Sequence, residues 1–318
     1  MKDQFDGKAG ERVVFPELVP QYPYELDEVR ANMVAMDAQD FPVPASDYFE
    51  QTRVVAIIGG GPTLNDDVGG KTRLEALDES DERVIKVVAG SAHRLLDNAA
   101  KFADGDEVKG GMLRRGADIS IFNAPGPLYA DCIDRTHAGT EYWLASQVDP
   151  AVTAKLGDVP VRVWDAYVPG VDYDGRERPV VGSGSTAPTA AVALFYTMGV
   201  RNFDFYGVDG GSFETLPNEY AAYDLKDVLA KIPDAELEEH VLIEIDGQRM
   251  KVATNFWSQL EEMQILQRKC FDARFTFHGE TSLNNMVFNQ GKHVKILHDP
   301  RVKGDEPDAD SPKPGQGS

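Results

Sequence analysis

The chain has 318 residues, 42% of them hydrophobic, which is enough to bury a core and excludes an intrinsically disordered protein. A formal charge of −21 and a pI near 4.6 exclude broad electrostatic contact with nucleic acid or an anionic membrane surface. The sequence holds no apolar run long enough for a spanning helix, and its two cysteines, Cys132 and Cys270, have no metal-ligand spacing and read as buried, reduced thiols.

Residues 1–50 are rich in Pro, Asp and Tyr and carry one short helical pattern around Glu25–Asp37. They read as an arm that packs on the core. The opening "MKDQFDGKAGERVVF" has no apolar h-region, so no secretory leader is expected and a cytoplasmic location is.

The region 51–300 alternates strand and helix patterns. "RVVAIIG" is an apolar, β-branched run of the kind found in buried parallel strands. "RVIKVVAG" predicts a second strand leading into a helix over "SAHRLLDNAAKF", with Ser91 as a cap. "ADISIFNA" and "VRVWDAY" predict two more strands. "STAPTAAVALFYTMG" predicts an Ala-rich helix ended by Gly199, "NFDFYGVDGG" a strand, "TNFWSQLEEMQILQRKCF" a long amphipathic helix, and "ARFTFHG" a last strand. This order predicts an α/β fold with a doubly wound, mostly parallel sheet. Residues 212–252 interrupt the alternation and contain "HVLIEIDGQRMKV", where Asp246–Gly247 signals a two-residue hairpin. An insertion at the carboxyl end of a strand is where a substrate lid is mounted. Residues 301–318 have the composition of a disordered tail.

Four stretches carry candidate chemistry. Gly59, Gly60 and Gly61, followed by Pro62 and Thr63, form a turn after the first strand whose backbone N–H groups can cradle a phosphate. Leu64 stands where a dinucleotide fingerprint needs glycine, and no G-K-[ST] closes a Walker loop. Ser183, Gly184, Ser185 and Thr186 precede the Ala-rich helix, whose first N–H groups and dipole favour an anion; a hydroxyl there is equally a plain N-cap. Asn123 leaves a strand, where its amide suits a ribose hydroxyl or base edge, or caps a turn. Asp209 ends another strand and can hold a ribose, a metal or a substrate amine, or brace its turn.

"GGGPTL", "FNAP", "GSGSTAPTAAVALFYTMGVRNFDFYGVD" and "ARFTFHGETSL", in that order over roughly residues 52–290, resemble the motility-accessory-factor and hydroxymethylpterin-diphosphokinase-like domain. The same order is similar to the bacterial CMP-sialic-acid-dependent sialyltransferases. The resemblance implies a Rossmann-like domain that binds an activated nucleotide and transfers a group from it. It implies that Gly59, Gly61, Pro62 and Thr63 line the phosphates, that Asn123 contacts the nucleotide, and that Ser183, Ser185, Thr186 and Asp209 complete the site. In the sialyltransferases a histidine between the G-[IVM]-D strand and the last helix serves as base; here that interval holds His240, in a different context. "VATNFWSQLEEM" instead resembles the accessory-factor and diphosphokinase branch.

The expected function is transfer of a sugar from a CMP- or UDP-sugar donor to an unknown acceptor. The alternatives are an ATP-dependent pyrophosphokinase on a pterin-like substrate, with Mg2+ held by Asp209, and a non-catalytic nucleotide-binding protein of the same fold. His278 at a strand end and His93 at a helix start are candidates for proton transfer or phosphate contact. Expected partners are a small-molecule nucleotide donor and an acceptor, without general nucleic-acid binding; a homo-oligomer is compatible with these features.

Overall fold

The computed structural model describes residues 13–21, 24–44, 53–80, 84–96, 113–210, 214–215 and 239–302. The predicted tail from 303 onward and the middle of the predicted insertion, 216–238 with Tyr220, lie outside the described residues. The chain divides into two units, one of residues 1–212 and 255–292, the other of residues 213–254 and 293–318.

The first unit is built on a nine-stranded sheet. Its strands are β1 (Val13–Val14), β2 (Val54–Ile58), β3 (Val84–Ala89), β4 (Ile119–Phe122), β5 (Glu141–Ala145), β6 (Val161–Ala166), β7 (Val180–Val181), β8 (Asn202–Tyr206) and β12 (Arg274–Phe277). Every pairing in it is parallel, in the order β1-β7-β6-β5-β4-β3-β2-β8-β12. The strands β2 to β7 are laid down in one direction. The helix α4 (Ala187–Thr197) then returns the chain across the sheet, so that β8 pairs with the free side of β2. The junction of β2 and β8 is therefore the topological switch point, where open α/β sheets leave a crevice outside the strand ends.

Continuous apolar runs explain the central strands. Val55 to Ile58, Val87, Val88 and Ile121 to Phe122 are almost wholly buried, as strands covered on both faces must be. One face stacks Trp143 on Phe195 of α4 at 5.0 Å, and Phe205 on Phe277 at 4.2 Å. On the other face Leu74 and Leu77 of α2 (Arg73–Asp78) pack on Ala56, Ile58 and Val88. The helix α4 is buried from Ala187 to Phe195, and its alanines allow close approach to the sheet. Gly199, at φ +103°, ends it as the sequence predicts. Among the described residues the remaining α-helices are α1 (Leu26–Asp37), α3 (Pro150–Leu156) and α5 (Thr254–Lys269).

The stretch after β3 departs from expectation. Gly90–Leu96 winds as a 3-10 run rather than an α-helix. Gly90 sits at φ +57°, and the Leu95 carbonyl accepts from the distant Leu113 N–H at 2.9 Å; residues 97–102 of the predicted helix lie outside the described residues.

The second unit holds an antiparallel sheet in the order β13-β10-β11-β9. The hairpin β10 (His240–Ile245) and β11 (Gln248–Ala253) turns at Asp246 and Gly247, both at positive φ, as the Asp-Gly pair predicts. The short β9 (Glu214–Thr215) and the later β13 (Lys295–His298) flank it. Among the described residues no helix is long and apolar enough to cross a membrane.

Candidate functional site

At the switch point the turn after β2 and the turn after β8 close on each other. Gly59 N–H donates to the Tyr206 carbonyl and Gly61 N–H to the Gly207 carbonyl, both at 2.8 Å. A Cβ on Gly59 would lie 2.4 Å from the Gly207 oxygen, and one on Gly61 would lie 2.3 Å from the Asp209 carboxylate. Asp209 accepts from the Thr63 N–H at 3.0 Å and from Thr63 Oγ1 at 2.6 Å. Burial raises its carboxyl above the ordinary range, opposed by those two hydrogen bonds. The bareness of Gly59 and Gly61 is thus matched by this chain's own second turn. Gly60 differs: it is exposed, and a Cβ there would meet nothing within 4 Å. Pro62 is exposed beside it and opens a 3-10 turn, Pro62–Asn65. Arg73 Nε, behind that turn, donates to the Thr63 carbonyl at 3.2 Å, and its Nη2 pairs with Asp66 at 3.2 Å.

The loop before α4 is also filled from within. Glu262 of α5 accepts from the Ser185 N–H at 2.9 Å and from Ser185 Oγ at 2.6 Å. A Cβ on Gly184, at φ +65°, would lie 2.5 Å from the same carboxylate. A carboxyl group does sit at this helix start, and it is a side chain of the protein. Burial pushes the Glu262 carboxyl up to about 7 against the hydrogen bonds from Ser185, with Glu261 as a like-charged neighbour. Thr186 caps α4 in a box with Thr189, and Gln259 Nε2 donates to Thr186 Oγ1 at 2.9 Å. Ser183 is fully buried, and its Oγ has no hydrogen-bond partner.

Asn123 is fully buried at the end of β4. Gln147 Nε2 donates to its carbonyl at 2.7 Å, and Asn32 of α1 donates to the carbonyls of Pro125 and Gln147. Tyr129 OH lies 3.5 Å from Asn123 Oδ1, and Gly90 leaves room for the Tyr129 ring. Asn123 Nδ2 has no partner.

The two histidines occupy different settings. His93 is fully buried; its Nδ1 faces the Cys132 carbonyl at 3.2 Å and its Nε2 the Tyr142 hydroxyl at 3.1 Å. With Nδ1 donating and Nε2 accepting, the ring braces β5 against the 3-10 run after β3. His278 stacks on Tyr206 at 4.2 Å, with Nε2 3.6 Å from Asp204 Oδ2. It adjoins Gly279, where a Cβ would lie 2.6 Å from Thr63. The structure thus brings Gly59 to Thr63, Asp209 and His278 to one corner, and leaves His93 outside it.

Sequence reasoning missed Glu262, Asp204, Gln147 and Asn32. Glu262 was concealed in "SQLEEMQ", where a helical acid looks like one more solvated charge. The Asp204 signal was available: an acid in the apolar alternation of "NFDFY". Among the described residues no group of three or more His, Cys, Asp or Glu side chains is arranged to hold a metal ion.

No family model matches the sequence, and no curated protein does. The fold is similar to that of the MAf glycosyltransferase from Magnetospirillum magneticum AMB-1, at a TM-score of 0.53 and 16% identity. The likeness covers 86% of this chain and 43% of that one, so the chain spans less than half the length of the structure it matches.

Proposed function

We propose that this chain is a nucleotide-dependent transferase of glycosyltransferase type, which moves a sugar from a nucleotide-activated donor to an acceptor. The observation that carries the reading is the switch point between β2 and β8, with a glycine turn whose middle residue, Gly60, is left open. The donor's phosphates lie against the exposed lip of Gly60 and Pro62, with Arg73 behind it supplying positive charge. Thr63 and Asp209 fix the shape of that lip. Asn123 contacts the nucleoside end. His278, held by its stack on Tyr206, takes the proton of the acceptor hydroxyl. The fold shared with a protein described as a glycosyltransferase supports this class.

A thermal-shift panel tests the reading. CMP, UDP or their sugars are expected to raise the unfolding midpoint without added metal. A response to ATP that requires magnesium would favour a pyrophosphokinase instead. Silence toward every nucleotide would end the proposal.

A further inference from the structure

We propose that residues 13–21 form a strap whose docking beside α4 is coupled to a proton on Glu262, so that acid closes the strap and base releases it. The latch does not depend on what the chain transfers.

Few bonds hold the strap. Gly182 N–H donates to the Val14 carbonyl at 2.7 Å and Gly184 N–H to the Leu18 carbonyl at 3.2 Å. Gln21 N–H donates to Ser185 Oγ at 2.8 Å, and Glu17 pairs with Lys269 of α5. The ladder with β7 is two residues long and lies at the edge of the sheet. Phe15 and Leu18 are buried, yet Phe15 sits at φ +56°, a left-handed conformation unfavourable for an aromatic residue. A Cβ on Gly182 would overlap the Phe15 carbonyl oxygen, so this glycine answers to the strap. Segments with short ladders and local strain open before the whole fold does.

One hydroxyl joins the strap to the carboxyl. Ser185 Oγ accepts from Gln21 and donates to Glu262 Oε1 at 2.6 Å, while Ser185 N–H donates to the same oxygen at 2.9 Å. Glu262 is 4% exposed with the strap in place. The charged group beside it is Glu261, of like sign. Residues 182–186 and the helix α4 carry no Asp, Glu, Lys, Arg or His. Arg268 and Lys269 lie in the last turn of α5, where Lys269 is engaged by the strap's own Glu17. A carboxyl enclosed in this way favours its neutral form, and burial pushes Glu262 up to about 7. Lifting the strap lets water reach Ser185 and the carboxyl, which then ionises at its ordinary 4.5 and gives its proton to solvent. The stabilisation of the closed strap is therefore fully present below 4.5 and is lost as pH rises through 7. Release uncovers residues 183–186 at the carboxyl end of β7.

Hydrogen exchange of the full chain, followed by 15N NMR between pH 5 and 8 and corrected for intrinsic rates, tests the coupling. The reporters are the amides of Gln21, Gly182 and Gly184, which donate across the strap; the amides of β3 measure opening of the whole fold. The strap amides are expected to show larger opening constants than β3 at every pH, rising at least about tenfold from pH 5 to pH 8. Glu262→Gln, which holds the neutral form, is expected to abolish that rise. Ser185→Ala is expected to raise strap opening about fivefold at pH 5 with β3 unchanged, and it serves as the second variant where Glu262→Gln folds poorly. Strap amides that share the opening constant of β3, that ignore pH, or that rise equally in Glu262→Gln would overturn the coupling. So would a Ser185→Ala chain whose strap opens no more than that of the wild type.

Discussion

The three consecutive glycines after β2 do different work. Gly59 and Gly61 are small because the turn after β8 presses on them, while Gly60 faces open space. Gly59→Ala and Gly61→Ala are therefore expected to destabilise the protein by about 1–3 kcal/mol, since the new methyl group meets fixed backbone or the Asp209 carboxylate. Gly60→Ala is expected to leave the unfolding midpoint nearly unchanged and to reduce its shift with nucleotide. Equal thermal losses in all three variants would show that the turn is packed uniformly and that Gly60 has no special exposure. The sequence announced that something approaches the main chain here. It did not distinguish an incoming ligand from a neighbouring turn, because both select glycine for the same steric reason.

Among the elements, the joint between α4 and α5 is sensitive to protons. Glu262 ionises near pH 7 in the folded chain against an ordinary 4.5, so between those values the native state holds a proton that the unfolded state has released. Its contribution to stability is complete below the lower value and falls as pH rises through the window, by an amount on the order of 3 kcal/mol. Glu262→Gln removes the titration. Its thermal midpoint is expected to depend less on pH between 5 and 8 than that of the wild type; parallel curves would refute the assignment. Elements differed in how legible they were. The strands β2, β3, β4, β6, β8 and β12 and the helices α1, α4 and α5 follow from apolar runs and helical spacing. The strand β5 was missed because "EYWLA" is short and flanked by polar residues, and α3 because Pro150 and Gly157 bracket only seven residues. The pairing of β1 with β7 rests on contacts remote in sequence, which no local pattern encodes.

At the scale of the molecule, charge and topology set the behaviour. With 53 acidic against 32 basic side chains, the chain repels itself at neutral pH. Added sodium chloride is expected to raise the unfolding midpoint steadily, as the screening length shrinks from about 30 Å at 0.01 M to about 3 Å at 1 M. A midpoint that falls with salt would mean that attractive ion pairs such as Arg176 with Asp165 and Asp37 outweigh the net repulsion. The parallel, doubly wound architecture was legible from the alternation of elements. The position of the switch point was not, because the return of the chain past β2 is a long-range event.

That long-range order has a consequence for synthesis. Val13 and Val14 find their hydrogen-bonding partners only at Val180 and Val181, and Leu18 and Gln21 seat themselves on Gly184 and Ser185. A nascent polypeptide leaving the ribosome must carry those early residues undocked until Val180 to Ser185 have been made. The amino-terminal strand is the piece of the sheet that arrives first and is fastened late.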